Sequence, residues 1–155
     1  MTSKTFKLLT PALFMGLMYL TSLSANAADG IETFPSTAVA GLPYSGVVRA
    51  GDLILVGGIA GVAPGGKELV TGGITFETRA ALGHVKDMLE LAGASMEDTV
   101  KCVVLLKSVE DFPKMNDVFR EFFPVNPPTR STLIVADIPM GASIELDCKA
   151  YKKSN

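Results

Sequence analysis

The chain has 155 residues, 48% hydrophobic and 19% charged, with 14 basic against 16 acidic residues and a formal net charge of −2. That length suits one compact domain. The balance leaves no basic patch of the kind that grips a phosphate backbone, so nucleic acid is not expected as a partner.

The chain opens with an export pattern. Lys4 and Lys7 make a positive start, residues 8–23 are mostly apolar, and Ala25-Asn26-Ala27 gives a small-x-small cleavage site. The apolar run is short and contains Pro11, which argues against a membrane anchor. No Cys follows it for lipid attachment, and no Arg pair precedes it. The expectation is a signal peptide at 1–27, cleaved before Ala28, and a single domain at 28–155. The protein is then periplasmic or secreted, with no membrane attachment after cleavage. Cleavage removes two lysines and no acid, so the remaining 128 residues carry −4.

Residues 28–43 read as irregular, punctuated by Pro35, Gly41 and Pro43. Residues 45–49 and 53–56 read as two strands of a hairpin around Ala50-Gly51-Asp52. Gly57-Gly58 ends the second strand and lets backbone approach a ligand or neighbour closely. A glycine-rich connection runs over 61–73. Residues 74–92 predict a helix, because Ala81, Val85, Met88, Leu89 and Ala92 recur at three- and four-residue steps, with Gly93 as its stop.

Residues 100–106 predict a strand. Residues 108–123 predict a second helix, capped by Ser108 or Asp111, with Pro113 in its first turn. Its apolar stripe is Phe112, Met115, Val118, Phe119 and Phe122. Strands at 132–136 and 143–148 close the chain. The order β-β-α-β-α-β-β predicts an α+β fold, a mixed sheet with two helices on one face. Residues 53–56 and 133–136 are apolar on both faces, so the uncovered face is expected to pack on another subunit. Cys102 and Cys148 both fall on strands among apolar neighbours. An exported chain allows them to pair, but spacing alone does not bring them within bridging distance, and two buried free thiols are the favoured reading.

Two charges stand out near the end. Arg130 sits at the mouth of an apolar strand and Glu145 lies inside the next. Ionised groups in such places are costly unless paired, solvated or used on a ligand. Taken alone, the pair reads as a structural ion pair at a subunit interface. His84, the one histidine, has no second His or Cys at metal-ligand spacing and reads as a surface or helix-packing residue. Gly58-Ile59-Ala60-Gly61 lacks the Lys-Ser/Thr ending of a phosphate loop. No metal or organic cofactor is expected.

From residue 43 to 151 the chain resembles the RidA/YjgF family of enamine/imine deaminases. The resemblance rests on Pro43-Tyr44-Ser45, Asp111-Phe112, Asn116 and Phe122-Phe123. It is carried above all by Pro128-Thr129-Arg130-Ser131, followed by Ile138-Pro139 and Ile144-Glu145-Leu146. It implies a chorismate-mutase-like fold and a homotrimer with active sites in the clefts between subunits. It assigns Arg130 to the substrate carboxylate and Glu145 to the reacting water, with Tyr44, Gly58, Asn116 and Thr132 around the substrate. Many members carry Ser-Gly-Gln-Ile where this chain has Val56-Gly57-Gly58-Ile59, and a Cys where it has Thr132. These departures bear on substrate range and rate.

The implied reaction is hydrolysis of a small 2-imino acid to a 2-keto acid and ammonia. Arg130 would grip the carboxylate through two parallel hydrogen bonds, and Glu145 would deprotonate the attacking water. Backbone groups near Gly57-Gly58 or Thr132 would receive the imine nitrogen. Two rivals share the residues. One is a non-catalytic trimeric module that binds small carboxylate metabolites through Arg130. The other is a chorismate mutase, which the scarcity of basic residues near the motif opposes.

Overall fold

The computed structural model describes residues 30–63, 65–66 and 68–154, so the expected signal peptide lies outside the described residues. Six strands form one sheet: β1 (Ile31–Phe34), β2 (Val47–Ala50), β3 (Leu53–Ala60), β4 (Thr99–Leu106), β5 (Thr129–Ile134) and β6 (Ile144–Tyr151). Two helices, α1 (Ile74–Leu91) and α2 (Phe112–Phe122), accompany them. The sheet order is β1-β2-β3-β6-β4-β5. Every neighbouring pair is antiparallel except β4 and β5, which run parallel with α2 as the crossover between them.

The α+β order of the sequence holds, with one strand added. Residues 31–34, read as irregular, form β1 on the sheet edge beside β2. Four largely exposed residues ahead of Pro35 carry too little alternation to announce a strand, and only pairing with β2 makes one. β3 also runs past its expected end. Gly57 and Gly58 together face Asp147 while pairing resumes at Ile59, which is a bulge, so the strand bends and continues to Ala60. α2 begins at Phe112, with Asp111 as its cap, because a 3₁₀ turn at Val109–Asp111 precedes it.

One sheet face is buried. Ile54, Val56, Cys102, Val104, Leu106, Ile144, Leu146 and Cys148 are at most 1% exposed and share the core with Leu82, Val85, Met88 and Leu89 of α1 and Met115 and Val118 of α2. The alternate residues turn the other way, and Leu53, Leu55 and Leu133 are 37–48% exposed there. β3 therefore carries apolar side chains on both faces, and within a protomer only one is covered.

The cysteine reading is corrected. Cys102 and Cys148 form a disulfide. Spacing could not reveal that β4 and β6 are antiparallel neighbours with these two residues directly opposite. Both are buried, and the bridge joins the middle of the sheet.

Three polar contacts fix the elements. Arg49 donates to the carbonyls of Gly51, Ala92 and Lys152, tying β2 to the end of α1 and to the chain terminus. His84 donates through Nε2 to the Val62 carbonyl at 2.9 Å, so its role is helix packing, as expected. Glu77, buried in the first turn of α1, holds Ser143 just before β6. Gly61 allows this close seating, because a Cβ there would lie 2.4 Å from the Glu77 backbone.

Candidate active site

The six predicted site residues divide into two groups of three. Arg130, Asn116 and Thr132 line one cleft, with Phe112, Phe119, Arg120, Pro127 and Pro128. Glu145, Tyr44 and Gly58 line another, with Ile59, Ala60 and the turn at Pro139–Gly141. The two clefts share no lining residue among those described.

The register explains the division. Arg130 pairs with Cys102, and Cys102 with Cys148, in the row that faces the helices. Glu145 pairs with Leu105, and Leu105 with Leu133, in a row that faces away from them. Side chains alternate between faces along a strand, so Arg130 and Glu145 point to opposite sides of the sheet. Their backbones are two strands and three residues apart, roughly 14 Å on a flat sheet at about 4.8 Å per strand and about 3.3 Å per residue. Within one protomer they do not pair.

Arg130 is held by α2. Its guanidinium lies 4.7 Å from the centre of the Phe119 ring and 5.6 Å from that of Phe112. One terminal nitrogen donates to Asn116 Oδ1, and the other lies 3.6 Å from Met115 Sδ. Asn116 thus bonds to the arginine side chain, not to backbone. Burial, then the charge of Arg120, lowers the Arg130 pKa from its ordinary value. Among the described residues no carboxylate pairs with Arg130. A half-buried, aromatic-backed fork without a counter-ion has the chemistry to receive an anion.

Glu145 is half-buried and has Ala60 as its cross-strand neighbour. Burial, then the negative charge of Asp147, pushes its carboxyl above the ordinary glutamate range. Tyr44 stands at the rim, 54% exposed. Gly58, at φ 66°, forms the bulge, and nothing lies within 4 Å of where its Cβ would be. Met140 adopts φ 63° in the Pro139–Gly141 turn, a left-handed conformation that costs such a residue about 1–2 kcal/mol and is typical of functional sites. Among the described residues no group of three His, Cys, Asp or Glu side chains is placed to hold a metal ion.

Residues 35–152 match the family described as Endoribonuclease L-PSP. The chain belongs to this family. Among its curated relatives is a 2-iminobutanoate/2-iminopropanoate deaminase of Dermatophagoides farinae, 38% identical over 105 residues, spanning 68% of this chain and 82% of that one. The human protein of the same name is 34% identical over 110 residues, spanning 71% and 80%. Among solved structures, the YjgF gene product of E. coli superposes with a TM-score of 0.72 at 30% identity, covering 78% of this chain and 98% of that one. E. coli TdcF with bound serine superposes with a TM-score of 0.73 at 27% identity, again over 78% and 98%. The resemblance read from residues 43–151 to RidA/YjgF proteins is thereby established, and so is the fold.

Within this family frame the two departures differ in weight. Val56 faces the core, is 1% exposed and lines neither cleft. Gly58 does line the Glu145 cavity. The sequence reading missed the aromatic backing of Arg130, because Phe112 and Phe119 were assigned to the apolar stripe of α2. Their signal was the spacing on one helix face with Asn116 between them. It also missed Asp147, two residues beyond Glu145 on the same face.

Proposed function

We propose that the protein hydrolyses 2-imino acids to 2-keto acids and ammonia, at sites built jointly by two protomers of a homotrimer. The observation that carries this reading is the separation of the two charges. A free anion receptor, Arg130, and a carboxylate with raised pKa, Glu145, are each exposed to a cleft yet face opposite ways. A neighbouring protomer is what brings one cleft against the other. The apolar residues Leu53, Leu55 and Leu133 on the uncovered sheet face supply a surface for that association. The deaminase names of relatives at 34–38% identity support the chemistry, and TdcF, with serine bound, supports an amino-acid-like ligand.

Arg130 of one protomer grips the substrate carboxylate through two N–H bonds, which fixes the plane of the C=N group. Glu145 of the next accepts a proton from water as its oxygen bonds to C2. The C=N π pair moves to nitrogen, which takes up a proton from solvent, and a tetrahedral amino alcohol results. Glu145 then gives the proton it took from water to the nitrogen. Ammonia leaves with the C–N pair while the remaining hydroxyl loses its proton to Glu145, which releases it to solvent, and becomes the keto oxygen. Asn116 orients the guanidinium, and Thr132 lies beside it. Tyr44 and the backbone at Gly58 border the reacting carbon. No step requires a metal or organic cofactor.

Export is part of the proposal. The pattern at residues 1–27 motivates it, and the Cys102–Cys148 disulfide supports it, since such bridges persist in oxidising compartments. The alternative of a binding module keeps Arg130 as receptor and makes Glu145 idle.

An amino-acid oxidase generates the imine in the assay, and its loss is followed with the purified protein and with Arg130→Ala. The expected result is acceleration by the wild type and a loss of about 10²-fold or more in a variant of unchanged assembly. A well-folded wild type that binds keto acids but accelerates no imine overturns the enzyme in favour of the binding module.

A further inference from the structure

We infer that the cavity beside Glu145 receives the substrate's side chain, and that the enzyme prefers 2-imino acids with a bulky aliphatic side chain, as from leucine or methionine, over the three- and four-carbon compounds for which its relatives are named. The inference rests on the deaminase reading. It concerns which imine that site takes.

The cavity measures about 420 Å³, far more than a methyl or ethyl group fills and within the range of pockets that enclose whole ligands. Its wall is aliphatic: Val39, Leu42, Ile59, Ala60, Val62 and Met140. Among the described residues Glu145 is the one charged group lining it. The Arg130 cleft is built differently, with two rings and a second cation, Arg120, around the guanidinium. A substrate whose carboxylate sits on Arg130 therefore has an aliphatic wall for its apolar side chain on the Glu145 side, where the Arg130 side offers two rings, two prolines and a second cation.

Two small residues set the room. Gly58 presents no side chain, and its absent Cβ would point into open space. Ala60, directly across from Glu145, puts a single methyl where any larger residue would occupy the floor. Each further methylene matched by an apolar pocket raises discrimination by about tenfold or more. Among the described residues lining this cavity a second carboxylate on the substrate finds no cation and meets Glu145, so imines of aspartate and glutamate are disfavoured.

The test compares kcat/KM for 2-imino-4-methylpentanoate, 2-iminopropanoate and 2-iminosuccinate, each made in place by an oxidase. The wild type is expected to favour the leucine-derived imine over the alanine-derived one at least about tenfold, with 2-iminosuccinate poorest. Ala60→Leu is expected to lower that ratio about tenfold. Ala60→Val, β-branched and suited to a strand, carries the same measurement where Ala60→Leu does not fold. Turnover of 2-iminopropanoate at or above the leucine-derived imine overturns the inference and leaves the deaminase standing. So does a preference that filling position 60 leaves unchanged. Failure to accelerate any of the three overturns both.

Discussion

The carboxylate of Glu77 holds both the backbone N–H and the hydroxyl of Ser143, at 2.7 and 2.8 Å, two residues before Glu145. Glu77 belongs to the first turn of α1, where the helix N-terminus favours a negative charge, and it is 5% exposed. The contact sets where β6 begins, and with it the depth at which Glu145 enters its cavity. Glu77→Ala strands a buried N–H and removes two charge-assisted bonds. It is expected to lower stability by about 2–3 kcal/mol, read from urea unfolding, and to lower kcat as well. Unchanged stability would show that the backbone there finds another partner without loss.

The acid side of the pH profile tests the role of Glu145. A base acts as its carboxylate, and burial together with Asp147 raises the pKa of this one. As pH falls, Glu145 is protonated before an ordinary glutamate would be, and kcat/KM falls with it. Asp147→Asn removes one of the two causes, so the acid limb is expected to move to lower pH while burial keeps part of the elevation. An acid limb indifferent to Asp147 would take the titrating role away from Glu145.

The disulfide makes a separate prediction. It closes a loop between residues 46 apart and lies at the centre of the sheet. Replacing both cysteines by alanine is expected to cost about 2–4 kcal/mol. For a domain of this size that is a fall of roughly 10 °C in the thermal midpoint. Both sulfurs are shielded, so reductant is expected to act only on molecules that open. Thiol labelling against time in dithiothreitol, native and in denaturant, separates the two cases.

Much of this was legible from residue patterns because it is local. The periodicity of Ala81, Val85, Met88 and Leu89 belongs to one helix, and Pro113 marks the start of another. The site residues were legible as types, because Arg130 and Glu145 are conspicuous charges in apolar strands. What stayed hidden depends on which strands meet. β1 exists because β2 offers it an edge, and Cys102 finds Cys148 because β6 lies between β3 and β4. The opposite orientation of Arg130 and Glu145 follows from two registers at once, and no spacing along the chain encodes it. The bulge at Gly57-Gly58 is intermediate: the two glycines announce an irregularity, but its outcome as a bend and not an end is decided by Asp147 across the ladder.

On the proposed homotrimer, that opposite orientation would make activity a property of pairs. In the proposed ring each reaction draws its arginine from one chain and its glutamate from the next, so a defect in one chain can be covered by another. Arg130→Ala and Glu145→Gln are each expected to be inert as pure assemblies. Unfolded together in equal amounts and refolded, they would recover activity at roughly a quarter of the junctions, those where each chain lends its intact half. A site confined to one chain would recover nothing by mixing.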